Sequence, residues 1–130
     1  MAQMLDFPLM VADKVASPPL APDAQSIDRA HLFRMTLGDH ALECEVLQLF
    51  DQQAGLLLAR MGAADPAGVA ALAHTLLGSA RGIGAWGVAR AAEAVEMAAR
   101  SKTVELQPTM NALSAATSEA RRAIAELLQA

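Results

Sequence analysis

Tyrosine is absent from this 130-residue sequence, aromatic residues amount to 3%, and there is a single cysteine, Cys44. One thiol cannot close an internal disulfide, and a chain without disulfides fits a reducing, cytoplasmic setting. Lysine and arginine are nowhere gathered into a cluster and the net charge is -4. Both features argue against a face that grips nucleic-acid phosphates. No apolar run reaches the roughly eighteen residues that a bilayer span requires. The opening stretch MAQMLDFPLMVADK has no basic leader and carries Asp6 and Pro8 inside its apolar part, so it does not read as a signal peptide. β-Branched residues are scattered rather than collected into strand-like runs. What the chain does contain is 54% hydrophobic residues, many of them alanine, with leucine, methionine and glutamine beside them. These favour helix over strand, and the composition reads as all-α. The length suits one domain with a real core.

Proline and glycine divide the chain. Pro18, Pro19 and Pro22 within VASPPLAPDAQS mark a linker. Residues 1–27 are therefore expected to form a mobile tail, or a strap laid across the domain, ahead of a bundle over residues 28–130. A short helix is predicted from about Asp28 to Leu37, ended by Gly38 as a left-handed cap. Asp39 caps a long second helix through about Met61, with Glu43 suiting its positive end and Gly62 closing it. Asp65 and Pro66 are a strong start signal, an N-cap followed by the first helical position. This third helix runs to about Ile83, where GIGAWG interrupts the pattern. A fourth covers roughly Val88 to Ser101, and Pro108 opens the last. Short connections make successive long helices antiparallel neighbours. The expected architecture is an antiparallel up-down four-helix bundle with a short extra N-terminal helix.

Turned at about 100° per residue, the third helix shows two faces. Val69, Leu72, Leu76 and Ile83 form an apolar stripe opposite His74. Ala67, Ala70, Ala71, Gly78 and Arg81 cluster within about 60° of the histidine, which places His74 in the middle of the outward face. That face carries alanines and a glycine where Lys, Glu and Gln are usual. Gly78 costs the helix about 1 kcal/mol relative to alanine, and a solvated face gains nothing in return. The loss makes sense if a bulky partner must reach the imidazole; an incidental surface histidine on an alanine-rich chain is the competing account.

The stretch AHTLLGSARGIGAW, residues 73–86, resembles the signature of histidine phosphotransfer (HPt) domains. In that signature His-x-Leu-Lys-Gly-Ser is followed by a Leu/Ile-Gly pair some nine positions after the histidine. His74, Leu76, Gly78, Ser79 and the pair Ile83-Gly84 hold those places here. LGDHALECEVLQLFDQQAGLLLARM is similar to the family's preceding helix and ARAAEAVEMAAR to its following one, so the likeness spans about residues 28 to 128. The resemblance implies a carrier that holds a phosphoryl group on Nε2 of His74 between the aspartates of two receiver domains. It implies response-regulator receivers as partners, with a hybrid histidine kinase as a further one. It also implies a monomer that is not an enzyme in its own right. Imidazole is largely neutral at pH 7, so a nucleophilic nitrogen is available. The receiver would bring the acidic pocket, its Mg²⁺ and its own lysine. No glycine-rich nucleotide loop and no metal-ligand cluster occurs in the chain, so no kinase activity and no bound cofactor are expected.

One departure bears on transfer. Leu77 stands where the family usually has a lysine that helps neutralise the phosphoryl group and contacts the receiver. Arg81, two turns from His74 on nearly the same bearing, is a candidate replacement cation; an ordinary solvated arginine is the alternative. Leu77 itself is a candidate to widen an apolar docking patch. It also keeps open a pseudo-HPt that binds a receiver or kinase and regulates by occupancy. A helical interaction domain unrelated to signalling is the third reading.

Other residues have their own expectations. Ser79 is expected to bond back to the Thr75 carbonyl as a packing residue. Glu96 falls beside the apolar stripe of the fourth helix formed by Val88, Ala92, Val95 and Ala99. The resemblance implies that a residue at its position bonds imidazole Nδ1 and leaves Nε2 free, and a solvated glutamate is the competing account. Glu93 reads as surface. Gln53, on the apolar face of the second helix, needs a polar partner. His31 and His40 suit helix-surface or capping roles, without metal-ligand spacing. Cys44 reads as a small packing residue, and Trp86 as closing the bundle end at the bend.

Overall fold

A computed structural model describes residues 26–129, so all but Ser26 and Ile27 of the tail or strap expected over residues 1–27 lies outside the described residues. Among those described there are five helices and no strand: α1 (Arg29–Met35), α2 (His40–Met61), α3 (Pro66–Ile83), α4 (Trp86–Arg100) and α5 (Leu106–Gln129). The all-α bundle with a short leading helix is thus the observed architecture.

Three aspartates start three of the helices. Asp28 accepts from the His31 backbone N–H at 3.0 Å, Asp39 from Leu42 at 3.1 Å and Asp65 from Gly68 at 2.8 Å. Each satisfies a backbone donor that the first helical turn leaves without a partner. Pro66 follows its cap at the first helical position, where a missing N–H costs nothing. Three boundaries differ from expectation. Helix α1 stops at Met35, because Leu37 (φ 56) and Gly38 (φ 74) both turn left-handed. Helix α4 begins at Trp86 rather than Val88, with no side-chain cap. Helix α5 begins at Leu106, so Pro108 lies within its first turn, where it breaks no helical hydrogen bond.

The core runs along one stripe of each long helix. Leu47, Phe50, Ala54, Leu57 and Met61 of α2 face Val69, Ala73, Leu76, Ala80 and Ile83 of α3. Val88, Ala92 and Val95 of α4 and Leu113, Ala120 and Ile124 of α5 complete it. Helix α3 packs most extensively against α4 and also against α2, and α5 closes the ring on α4 and α2. Ala73, Ala80 and Ala92 are wholly buried, and such small contact residues allow close approach of helix axes. Ile27, placed by sequence in the segment ahead of the bundle, is buried in this core.

Gly84 anchors α1. Its φ of 81° is left-handed, and a Cβ there would come within 2.9 Å of the Asp28 Cβ and 3.0 Å of its carbonyl oxygen. The approach lets the Asp28 N–H donate to the Gly84 carbonyl at 2.9 Å. The Trp86 indole N–H donates to Asp28 Oδ2 at 2.9 Å, and the His31 ring meets the indole edge-on at 5.0 Å. The indole bond, followed by the His31 amide, holds the Asp28 carboxyl below the usual carboxylate range. Trp86 therefore closes this end of the bundle from the first turn of α4.

Candidate functional site

The site lies where α3 meets α4. His74 projects from the middle of α3 with 70% of its side chain exposed. Its Nδ1 is 3.2 Å from Glu96 Oε1 on α4. The other carboxylate oxygen, Oε2, accepts from Arg100 Nη2 at 3.0 Å, one turn further along α4. Glu96 is the sheltered member of the three, with 17% of its side chain exposed. The hydrogen bond from His74, aided by Arg100 and opposed by partial burial, holds the Glu96 carboxyl below its usual range. An ionised carboxylate can only accept, so a hydrogen bond at this contact requires the ring proton on Nδ1. In the neutral ring, Nε2 then carries the lone pair.

The bearing of His74 needs correction. Beyond Pro66 in its first turn, the exposed residues of α3 run around the helix from Arg81 and His74 through Ala67, Gly78, Ala71 and Gly82 to Thr75. His74 stands near one margin of that arc, not at its middle. Ala70 and Leu77, on the flank toward α4, are buried at 3% and 6% exposure. Contact with α4 covers an arc that the apolar stripe alone did not reveal, and it is this displacement that brings Glu96 within reach. On the opposite flank the surface is bare among the described residues: a Cβ on Gly78 would meet none of their atoms within 4 Å.

Leu77 is a core residue and does not widen an apolar docking patch, because α4 covers it. Arg81 is exposed and makes no ion pair among the described residues. It borders a shallow depression of about 180 Å³ with Leu77, Trp86, Ala89, Arg90 and Glu93. Ser79 does not bond back to Thr75. Its hydroxyl donates to Gln53 Oε1 at 2.7 Å, pinning α3 to α2 and supplying the partner that Gln53 needs. A half-buried amide across the interface competes better for the hydroxyl than a carbonyl already bonded within the helix. Thr75 instead makes the helical back-bond, to Ala71 at 3.2 Å. Glu93 is exposed. His31 lies against Trp86, and His40 near Cys44 with a sulfur–nitrogen distance of 3.7 Å. No group of three or more His, Cys, Asp or Glu among the described residues is placed to hold a metal ion. The residue that sequence reasoning missed is Arg100; its i,i+4 spacing from Glu96 was the available signal.

The arrangement is an exposed, carboxylate-tethered histidine on an all-helical bundle. A model of the Hpt domain family matches residues 45–130, more than half of the chain, and the chain belongs to that family. The match takes in His74 and most of α2, and leaves α1 outside it. No curated protein and no solved structure matches the chain. Hpt domains are phosphocarriers rather than catalysts, and the family typically interacts with receiver domains and kinases, so membership points to a phosphotransfer role in two-component signalling. No helix among the described residues is long and apolar enough to cross a membrane.

Proposed function

We propose that His74 accepts a phosphoryl group at Nε2 from the aspartyl phosphate of one receiver domain and passes it to the aspartate of another. The Nε2 lone pair attacks phosphorus in line with the aspartyl oxygen. The N–P bond forms as the P–O bond breaks, and the bonding electron pair leaves on the receiver's carboxylate. Nδ1 keeps its proton, so the ring becomes an imidazolium whose charge faces Glu96. Attack by a second aspartate reverses the step. Catalysis of this kind is positioning and charge stabilisation. Glu96 contributes orientation and an anion for the developing ring charge, while Gly78 leaves the approach clear. Mg²⁺ and the cations around the phosphoryl oxygens belong, in this reading, to the receiver. The carrier works as a cytoplasmic monomer without kinase activity.

The observation that carries the reading is an imidazole 70% exposed whose Nδ1 is held by Glu96, leaving Nε2 for chemistry. A second reading, a module that binds receivers without carrying phosphate, is favoured by buried Leu77 standing where the usual lysine would be. Incubation with a radiolabelled phosphorylated receiver separates the two. Acid-labile, alkali-stable label that disappears in His74→Gln supports the carrier. A stable complex without label supports the binding module, and the lack of both refutes both.

A further inference from the structure

We infer that Arg100 is a positioning residue for His74: by engaging one oxygen of Glu96 it keeps the other on Nδ1, and so selects the tautomer whose Nε2 is the nucleophile. The inference rests on the reading of His74 as phosphoacceptor. The geometry is a relay in which each atom has one partner. Arg100 Nη2 is 3.0 Å from Oε2, and Oε1 is 3.2 Å from His74 Nδ1. A glutamate side chain has three rotatable bonds, and one hydrogen bond to an exposed ring is weak restraint. The second bond divides the carboxylate between two fixed directions. Glutamate placed four residues ahead of arginine is the favourable order for a helical pair.

The cation comes from a different helix than the sequence suggested. Leu77 leaves no cation one turn beyond His74, and Arg81 makes no ion pair among the described residues. Helix α4 runs antiparallel to α3, so Arg100 lies beyond Glu96 toward the Ala70 end of α3. It therefore stands on the far side of His74 from Gly78. From there it acts through Glu96 and leaves the bare face beside Gly78 open to a receiver.

A purely structural role is a poor account of the pair. Arg100 is 62% exposed, and an exposed i,i+4 ion pair contributes little to folding. Arg100→Ala should leave the melting temperature where it is while changing the ring. The test is nitrogen-15 NMR of the unphosphorylated protein, which reads the His74 tautomer ratio, alongside the rate of labelling by a phosphorylated receiver. In the parent, the Nδ1–H form should dominate. Arg100→Ala should move the ratio toward Nε2–H by about twofold, the worth of one such helical pair, and slow labelling in proportion. Arg100→Lys should restore both. In a Glu96→Gln background, Arg100→Ala should add nothing, since its route to the ring is gone. A parental tautomer ratio in Arg100→Ala, or an equal effect of that change with and without Glu96, overturns the inference. Failure of the parent to take label refutes the carrier reading instead, and the tautomer ratio then judges Arg100 independently.

Discussion

Replacing Gly78 separates what the helix wants from what a docking partner wants. Glycine inside a helix costs about 1 kcal/mol relative to alanine. A Cβ added at Gly78 meets no heavy atom of the described residues within 4 Å, so nothing in the described bundle opposes the gain. Gly78→Ala should therefore stabilise the domain by about 1 kcal/mol, or about 3–5 °C in melting temperature for a chain of this size. Gly78→Gln should be nearly as stable, because glutamine is also a good helix former. Transfer should respond in the opposite sense. Position 78 is one turn, about 6 Å, along α3 from His74, and the receiver must bring phosphorus to within about 3.5 Å of Nε2. A long side chain at 78 lies in that path. A misplacement of about 1 Å costs on the order of 100-fold in rate, so Gly78→Gln should slow labelling by roughly 10- to 100-fold. Gly82→Ala, also into open space near the end of α3, is a control for the stability gain. Thermal melts by circular dichroism and a labelling time course give both quantities. A destabilised Gly78→Ala, or a Gly78→Gln that takes label at the parental rate, refutes the reasoning.

Three further outcomes follow from local chemistry. Glu96 has a folded-state carboxyl pKa below its ordinary 4.5, so the unfolded chain takes up that proton more readily; the stabilisation is fully present above about 4.5 and is lost as pH falls through the folded value. Glu96→Gln should flatten the acid side of the stability profile below pH 4.5, and superimposable acid titrations of parent and variant would contradict this. Leu37 is left-handed at φ 56 and 92% exposed; relief of about 1–2 kcal/mol of strain, less about 0.5–1 kcal/mol for the added freedom of glycine, predicts that Leu37→Gly stabilises by about 0.5 kcal/mol in urea unfolding. The Thr117 hydroxyl is buried without a partner among the described residues, so Thr117→Val should raise stability by about 1 kcal/mol, and a lower urea midpoint for that variant would show that the hydroxyl is satisfied in solution.

Much of the architecture could be read before any coordinates. Asp39 and Asp65 are caps in the sequence and caps in the structure, because capping depends on residues three apart in the chain. The start of α4 was harder, since Ala85 offers no side-chain cap and the glycines around Trp86 masked the first turn. The site was legible in part. His74 stood out because a titratable ring among small residues breaks the pattern of a solvated face. Ser79 was misjudged because within its own helix the Thr75 carbonyl is the acceptor in view, and only packing of α2 against α3 delivers Gln53 to it.

By itself the sequence determined the helices, their order, their apolar stripes and the outward bearing of His74, because these follow from local propensity and periodicity. Tertiary structure alone decided that His74 stands at the margin of its exposed arc, that Ala70 and Leu77 go under α4, and that Glu96 and Arg100 align behind the ring. The division has a physical cause. A helical period fixes each side chain's bearing around its own axis, whereas the arc a neighbour covers and the residues it brings level depend on how two axes approach, cross and slide, which no single helix encodes.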